Sequence, residues 1–326
     1  MIDDALLRVE GLEVHLADRD GLRVVRAVNG VDFTLARGET VGIVGESGCG
    51  KSMTAMSLMR LLPASARIVD GAVSFAGEDL LAKSEAEMRR LRGQQIAMIL
   101  QDPMVSLDPL YRIGDQMAEP LRIHKSMSGT ALRSKLEALL RAVGISSPER
   151  RLRQYPHQMS GGMLQRIVGA TAMSCDPLLL IADEPTTALD PTVQAQFLDL
   201  LDELKQRTGL SLLIITHDFG VAARLCDRVL VMYAGRIVEQ APVREIFDNP
   251  RHPYTQALLS TVPGRQHASG RRLRTIEGQP PDLADLPPGC SFAARCPKAQ
   301  QRCHAEAPPE LRLGDRHTVR CWYAMS

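Results

Sequence analysis

A glycine-rich stretch between a predicted strand and a predicted helix has the residue types needed to hold phosphate groups. Its pattern is GxxxxGKS, a loop whose backbone N–H groups can turn inward around phosphate oxygens. The start of the following helix adds its N-terminal dipole to the same anion site. We expect the lysine to contact the β- and γ-phosphates and the serine to ligate Mg²⁺, the alternative being a chance glycine-rich turn. The eight residues, named here the phosphate loop, are Gly45, Glu46, Ser47, Gly48, Cys49, Gly50, Lys51 and Ser52.

Two carboxylates end a second short apolar run, residues 178–182. Asp183 has the position of a Mg²⁺ partner, and Glu184 can orient and deprotonate an attacking water. Acidic residues at the end of a strand are often only solvated, so these two carboxylates alone are weak evidence for a catalytic site. Together with the phosphate loop it predicts a nucleotide hydrolase that uses ATP and Mg²⁺.

A Ser-Gly-Gly sequence opens a predicted helix shortly before the carboxylate strand. Its hydroxyl, bare backbone N–H groups and helix dipole can bind an anion. The stretch MSGGMLQR, residues 159–166, resembles the signature of ATP-binding cassette (ABC) ATPases, and three further short motifs match the Q-, D- and H-loops of that family in order and spacing over residues 5–240. The matching residues are Ser160, Gly161, Gly162, Gln101, Ala188-Leu189-Asp190 and Thr216-His217-Asp218.

The resemblance implies roles for these motifs. Two ATP molecules would be sandwiched between two ATPase subunits, each contributing its Ser-Gly-Gly surface to the γ-phosphate held by the other. Gln101 would sense Mg²⁺ and the attacking water, and His217 would hold the γ-phosphate and the water in line. The family commonly stacks adenine on an aromatic residue where this chain has Leu16, so we expect an aliphatic contact and a loss on the order of 1 kcal/mol of stacking.

Apolar runs separated by helical stretches predict a largely parallel sheet covered on both faces. The predicted strands are residues 40–44, 178–182 and 212–216, and the predicted helices are residues 52–62 and 192–208. The resemblance makes this an α/β fold, a P-loop NTPase (RecA-like) ABC ATPase core with an antiparallel β region and an α-helical subdomain at about residues 103–157. There residues 131–143 carry an apolar stripe of Leu132, Leu136, Leu139 and Leu140. We assign residues 1–250 to the ATPase domain and residues 251–326, the tail, to a small Cys-rich C-terminal extension.

The tail resembles the segment that follows the cassette in ATPases of bacterial dipeptide, oligopeptide and nickel importers. The resemblance is closest to the first ATPase of dipeptide importers. It is carried by the sequences RHPYTQALL at residues 251–259, EGQPP at 277–281, GC at 289–290 and RCP at 295–297. A stretch rich in Gly, Pro and Arg, residues 263–289, is expected to link the two parts.

Four cysteines in the tail have the spacing C-x5-C-x6-C-x17-C: Cys290, Cys296, Cys303 and Cys321. In a reducing cytosol such a cluster favours metal ligation over disulfides, and four thiolates suit either Zn²⁺ or an iron–sulfur cluster. The resemblance favours a [4Fe–4S] cluster, with Zn²⁺ and free thiols as alternatives. A bound metal would stabilise the tail, whose apolar content is too low for a hydrophobic core of its own.

The remaining polar residues of the tail are expected to be solvated. They comprise two histidines and five arginines: His304, His317, Arg271, Arg272, Arg274, Arg295 and Arg302. A formal net charge of +1 and an aromatic content of 4% argue against a nucleic-acid-binding surface.

No apolar run has the length of a membrane span, and the first residues lack the layout of a signal peptide, which predicts a cytoplasmic chain. The resemblance implies a peripheral subunit on the cytoplasmic face of the bacterial inner membrane. Its partners would be a second homologous ABC ATPase in a heterodimer, two transmembrane permease subunits and, indirectly, an extracytoplasmic peptide-binding protein. The function expected is ATP hydrolysis that powers import of di- and oligopeptides. Nickel or glutathione import, a soluble ABC ATPase acting on nucleic acid or ribosomes, and a redox sensor remain alternatives.

Overall fold

The computed structural model describes residues 5–17, 23–187, 189–262 and 276–324. The chain divides into two compact units, of which unit 1 comprises residues 1–35, 40–81 and 216–326 and unit 2 comprises residues 36–39 and 82–215. None of the helices in the described ranges is long and apolar enough to cross a membrane.

The β-strands are β1 (Ala5–Ala17), β2 (Val24–Ala36), β3 (Thr40–Val44), β4 (Ala66–Phe75), β5 (Glu78–Asp79), β6 (Ile96–Ile99), β7 (Leu179–Asp183), β8 (Ser211–Thr216), β9 (Arg228–Tyr233), β10 (Arg236–Pro242), β11 (Leu311–Gly314) and β12 (His317–Val319). The α-helices are α1 (Lys51–Met59), α2 (Glu85–Leu91), α3 (Pro103–Ser106), α4 (Ile113–Lys125), α5 (Gly129–Ala142), α6 (Pro148–Arg151), α7 (Gly161–Ala172), α8 (Pro191–Thr208), α9 (Phe219–Leu225), α10 (Val243–Asp248), α11 (Pro253–Ser260) and α12 (Gln301–Ala305).

Unit 1 contains two groups of strands. The first has the order β2-β1-β4-β5, in which β1 and β4 are antiparallel with Leu7 opposite Phe75. The second starts from β3, which is fully buried and pairs in parallel with β9. From β9 the pairing continues antiparallel through β10 and β12 to β11. The tail therefore extends the same set of strands that supports the phosphate loop.

Unit 2 combines parallel strands with a set of helices. Strands β6, β7 and β8 pair in parallel, and β7 and β8 are buried along their whole length. The stretch predicted as helical contains α3 to α6 and a 3₁₀ turn at Pro156–Gln158, with no strand among its described residues. On α5, Leu132, Leu136 and Leu140 are buried and Leu139 is half-buried, so the predicted stripe is confirmed.

The predicted elements shift by a few residues at most. The carboxylate strand runs one residue further than expected, so Asp183 is its last residue. Helix α1 ends at Met59, before the predicted end at residue 62, because Arg60 turns into the left-handed region with φ of +50°.

The tail has more internal packing than its composition predicted. Val319, Cys321 and Ala324 form a small apolar cluster, against which three further side chains pack: Leu311, Leu313 and Tyr323. The expectation that the tail cannot form a core is corrected to this extent, since β11 and β12 supply alternate inward-facing positions. Arg271, Arg272 and Arg274, with part of the expected linker, lie outside the described residues.

Candidate nucleotide-site residues

The phosphate loop follows the buried strand β3 and runs directly into α1. Gly48 and Gly50 have φ of +80° and +108°, a backbone region that favours glycine. A side chain at Gly45 would collide with the carbonyl oxygen of Met232, and one at Gly50 with that of Ala27. Glycine at these positions lets the loop lie directly against β9 and β2.

Lys51 is buried at the first position of α1, with only 5% of its surface exposed. Its Nζ donates to the carbonyl oxygens of Gly45 and Glu46, both at 2.9 Å. The ammonium group therefore lies over the loop, where it can exchange these bonds for phosphate oxygens. Cys49 is buried beside it, and desolvation raises the pKa of the thiol, which stays neutral at physiological pH.

The tail holds Glu46 of the phosphate loop on two sides. The Glu46 N–H donates to the hydroxyl of Tyr254 at 2.9 Å, and the Glu46 carboxylate forms a bidentate ion pair with Arg295. Arg295 was expected to be solvated, and this prediction was wrong: its side chain is 4% exposed. The pKa of its guanidinium is raised, chiefly by the hydrogen bonds to Glu46. Its partner is 249 residues away in the sequence, so no local pattern could indicate it.

In unit 2 the structure brings Gln101 and Glu184 together. Gln101 Nε2 donates to Glu184 Oε2 at 3.0 Å, and Thr187 Oγ1 donates to the same oxygen at 3.0 Å. We call these three residues the Glu184 cluster. Sequence reasoning missed Thr187, although an acceptor followed by a hydroxyl three residues later is a usable local signal.

Glu184 is buried and has a left-handed backbone with φ of +45°. Its N–H donates to the carbonyl oxygen of Ile215 at 2.8 Å. A positive φ at a non-glycine residue is strained and persists only where the surroundings enforce it, a pattern that is frequent at functional sites. Asp183, directly before it, is buried at the end of β7.

Ser160 caps α7, where its hydroxyl accepts from Met163 N. Ser160 and Gly161 are exposed, and nothing lies within 4 Å of a side chain placed at Gly161. Gly162 allows α7 to pack against α8, because a side chain there would approach Val193 Cγ1 to 2.7 Å. The Ser-Gly-Gly segment therefore presents a hydroxyl and bare N–H groups at an exposed helix start.

Two further predicted residues are exposed at the ends of elements. Asp190 caps α8 and accepts from the N–H groups of Thr192 and Val193, both at 3.0 Å. His217 directly follows β8 in the chain and is exposed. Ala188 lies outside the described residues. Leu16, at the expected adenine position, is half-buried in β1. The roles of these residues stay predictions.

Cys290, Cys296, Cys303 and Cys321 line one small cavity of about 20 Å³. Burial raises the pKa of Cys290 to about 11 and also raises the pKa values of Cys296 and Cys321. Over the described ranges, no three His, Cys, Asp or Glu side chains are close enough together to hold a metal ion. The four donors thus share a cavity without reaching ligating distances, and a metal centre stays a prediction.

The histidines of the tail differ from each other. His304 is exposed as predicted, but His317 is buried and its Nε2 lies 2.9 Å from Glu239 Oε1. The expectation of a solvated His317 was wrong because Glu239, itself 1% exposed, requires hydrogen-bonding partners in the interior. Arg302 is exposed and paired with Glu306, as expected of a solvated arginine.

The family of the chain follows from comparison with known proteins. Residues 28–187 match the family model of ABC transporters, and residues 238–303 match that of the oligopeptide/dipeptide transporter C-terminal region. The dipeptide transport ATP-binding protein DppD of Bacillus subtilis is 51% identical over 320 residues, which cover 98% of this chain and 95% of DppD.

The chain belongs to the ABC transporter family. The resemblance noted in the sequence is confirmed, and the chain is an ABC ATPase, a family for which ATP and Mg²⁺ are the typical cofactors. The oligopeptide transport ATP-binding protein OppD of Escherichia coli is 50% identical over 306 residues, 94% of this chain and 89% of OppD.

Solved structures show the same fold. The ATP-binding cassette MJ0796, described as a dimer bound to ADP and Pi, is 25% identical with a TM-score of 0.66 over 73% of this chain and 99% of its own. The protein cbiO1 of Clostridium perfringens, part of the transporter complex cbiONQ, is 26% identical with a TM-score of 0.63 over 76% of this chain and 92% of its own. The ABC ATPase fold is established, whereas the four-cysteine extension as a metal-bearing unit stays a prediction.

Proposed function

We propose that this ABC ATPase hydrolyses ATP to power the import of di- and oligopeptides across the cytoplasmic membrane. The observation that carries the proposal is similarity over nearly the whole chain, tail included, to proteins named as dipeptide and oligopeptide transport ATP-binding proteins. Neither DppD nor OppD is named for nickel or glutathione transport or for action on nucleic acid or ribosomes, so those alternatives are not favoured.

In this proposal each predicted residue keeps its own role. Lys51 contacts the β- and γ-phosphates, and Ser52, Gln101 and Asp183 serve Mg²⁺, which supplies charge neutralisation to the phosphates. Glu184 orients the attacking water and accepts its proton. The donors Gln101 and Thr187 support this role because they fix one carboxylate oxygen in place. His217 positions the γ-phosphate.

The exposed Ser-Gly-Gly segment supports a second ATPase subunit as partner. A helix start with bare N–H groups is an anion site, and residues 160–162 are capped and open on one side. We propose that Ser160, Gly161 and Gly162 contact the ATP of a homologous subunit, with Asp190 at the same interface. The dimeric MJ0796 cassette is consistent with such pairing.

The exposed apolar side chains of unit 2 support permease partners. Several lie between residues 100 and 111, directly after β6: Leu100, Met104, Val105, Leu110 and Tyr111. Val105 and Leu110 are 77% and 80% exposed, which is unfavourable in water unless a partner covers them. We propose that this stretch contacts two membrane permeases at the cytoplasmic face of the bacterial inner membrane, while an extracytoplasmic binding protein delivers the peptide.

For the tail we propose a [4Fe–4S] cluster, with Zn²⁺ as the alternative. The support is the donor set: four thiols around one cavity. Protein purified anaerobically should be brown, with iron and sulfide in equal amounts. A colourless preparation with one zinc per chain would show that the site binds Zn²⁺ and not an iron–sulfur cluster. Metal-free protein would contradict both assignments.

The test of the transport proposal is uptake of a labelled dipeptide by cells that carry either the native chain or Glu184→Gln at equal expression. The matched control is Glu203→Gln, an exposed glutamate on α8. We expect uptake to fail in Glu184→Gln and persist in the control. Unchanged uptake in Glu184→Gln would contradict peptide import, and loss of labelled nickel or glutathione uptake would then identify the cargo. A chain that does not co-purify with membrane proteins would favour the soluble class.

A further inference from the structure

The tail segment between Cys290 and Cys296 sends one arginine into the protein interior. Arg295 Nη1 lies 2.7 Å from Glu46 Oε2, and Arg295 Nη2 lies 2.9 Å from Glu46 Oε1. Parallel, two-point bonding of this kind is the strongest geometry that a guanidinium and a carboxylate can form. The Arg295 side chain is 4% exposed and the Glu46 side chain 26%, so water screens the pair less than it would a surface ion pair.

The arginine is itself held by its neighbours. Its Nε donates to the Glu277 carbonyl oxygen at 3.1 Å, and Nη1 also donates to the Tyr233 hydroxyl at 3.3 Å. Its guanidinium carbon lies 5.8 Å from the ring centre of Tyr233 and 5.9 Å from that of Phe292, within the range of cation–π attraction. The guanidinium is therefore a fixed charge and not a mobile surface group.

The partner of Arg295 is the second residue of the phosphate loop. The backbone of Glu46 is bonded on both sides, since its N–H donates to Tyr254 and its carbonyl oxygen accepts from Lys51. A carboxylate at this position repels a polyphosphate, because like charges within about a Debye length oppose each other. The ion pair removes that charge and keeps the side chain directed towards the tail.

We propose that Arg295 is a positioning residue for the phosphate loop: it neutralises Glu46 and holds it against the tail, so that the tail sets the affinity for ATP. The inference rests on the proposed ATP binding and goes beyond it, because it gives the peptide-transporter tail a function at the phosphate loop. Arg295 acts on the nucleotide through Glu46 and not by direct contact.

The experiment compares Arg295→Gln with the native full-length chain by isothermal titration with MgATP and with AMP. An unpaired Glu46 should raise the Kd for MgATP by about three- to tenfold, and that for AMP by less, because AMP carries less charge. The MgATP effect should shrink at high salt. The matched control is Arg302→Gln, an exposed tail arginine that should leave both Kd values unchanged.

A second background separates neutralisation from simple structural support. The Arg295→Gln/Glu46→Gln chain lacks both charges of the pair, so its Kd for MgATP should return to within about twofold of the native value. A double variant that binds MgATP as weakly as Arg295→Gln, or an Arg295→Gln chain that binds as tightly as the native chain, would overturn the inference. If Arg295→Gln fails to fold, Glu46→Gln alone tests the same charge: it should bind MgATP at least as tightly as the native chain, and weaker binding would overturn the inference. A native chain that binds no MgATP would overturn both the inference and the proposed function.

Discussion

The phosphate loop and the Glu184 cluster are held in place by different means. The loop is fixed through its backbone, by glycines that lie against β9 and β2, and through the buried ion pair with the tail. The Glu184 cluster is fixed through side-chain hydrogen bonds to one carboxylate oxygen and through a strained backbone. A phosphate cradle needs many N–H groups aimed at one point, whereas a proton acceptor needs one atom held in one orientation. We therefore expect changes to the loop to affect affinity and changes to the cluster to affect turnover.

The largest effect is expected at Glu184. Glu184→Gln keeps the hydrogen-bonding shape but cannot accept a proton, so the rate of hydrolysis should fall by a factor of about 10²–10⁴ with binding retained. Phosphate release and isothermal titration with MgATP measure the two quantities. Near-normal turnover would remove Glu184 from the role of base, and Glu203→Gln should behave as the native chain does.

Lys51→Ala should weaken ATP binding, whereas Glu184→Gln should lower only the rate of hydrolysis. It removes a buried ammonium that lies over the loop, and the loss of two charge-assisted bonds to phosphate should weaken ATP binding by roughly 10²-fold or more. Equilibrium dialysis with labelled ATP checks this, with Lys125→Ala on the exposed end of α4 as the control. Tight binding by Lys51→Ala would contradict the assignment of the loop.

Acid should weaken the tail that holds the loop. Burial lowers the pKa of His252 from 6.5 to about 4, so the unfolded chain binds more protons than the folded chain between these values. Stability from this group is present above pH 6.5 and is lost as the pH falls towards 4; from pH 7 to pH 5 the loss is about 2 kcal/mol. Urea unfolding at the two pH values measures it.

The control for this prediction is a pair of matched variants. His252→Asn keeps a capping acceptor for the Tyr254 N–H but does not titrate. The free energy of unfolding of this variant should therefore fall by about 2 kcal/mol less between pH 7 and pH 5 than that of the native chain. His304→Asn changes an exposed histidine and should follow the native chain. The prediction fails if His252→Asn loses as much stability as the native chain.

The smallest effect is expected at Gln101. Gln101→Ala removes one of two donors to Glu184 Oε2, while Thr187 keeps the other, and of the proposed Mg²⁺ residues Ser52 and Asp183 remain, so turnover should fall only about tenfold with a smaller change in MgATP affinity. Steady-state phosphate release resolves this change, with Gln206→Ala on α8 as the control. A loss as large as that of Glu184→Gln would mean that the Mg²⁺ role proposed for Gln101 outweighs its hydrogen bond to the carboxylate.

The spacing of apolar residues in the sequence predicted the bounds of the buried strands and helices closely. Strand β3 has the bounds that its apolar run predicted, and α8 begins one residue earlier than expected, at Pro191. Such elements depend on the period of apolar residues and on caps, which neighbouring residues encode. The phosphate-loop glycines were predictable for the same reason, since their conformation is local.

The buried polar contacts of the tail were not predictable in this way. Arg295 and His317 were expected in solvent because charged residues are seldom buried without a partner. Their partners, Glu46 and Glu239, are distant in sequence, and only the fold brings them together. The strain at Glu184 was equally hidden, because nothing in a Leu-rich strand indicates a positive φ at the following residue.

The indole of Trp322 gives the tail a property that no other part of the chain shares. It is the single tryptophan of the sequence, its Nε1 donates to the Glu306 carbonyl oxygen at 3.2 Å, and the Arg302 guanidinium lies 3.5 Å from its ring centre. Trp322 also lines the cavity of the four cysteines. Intrinsic tryptophan fluorescence therefore reports on the surroundings of Trp322 alone, so a rearrangement of this part of the tail can be followed without a label.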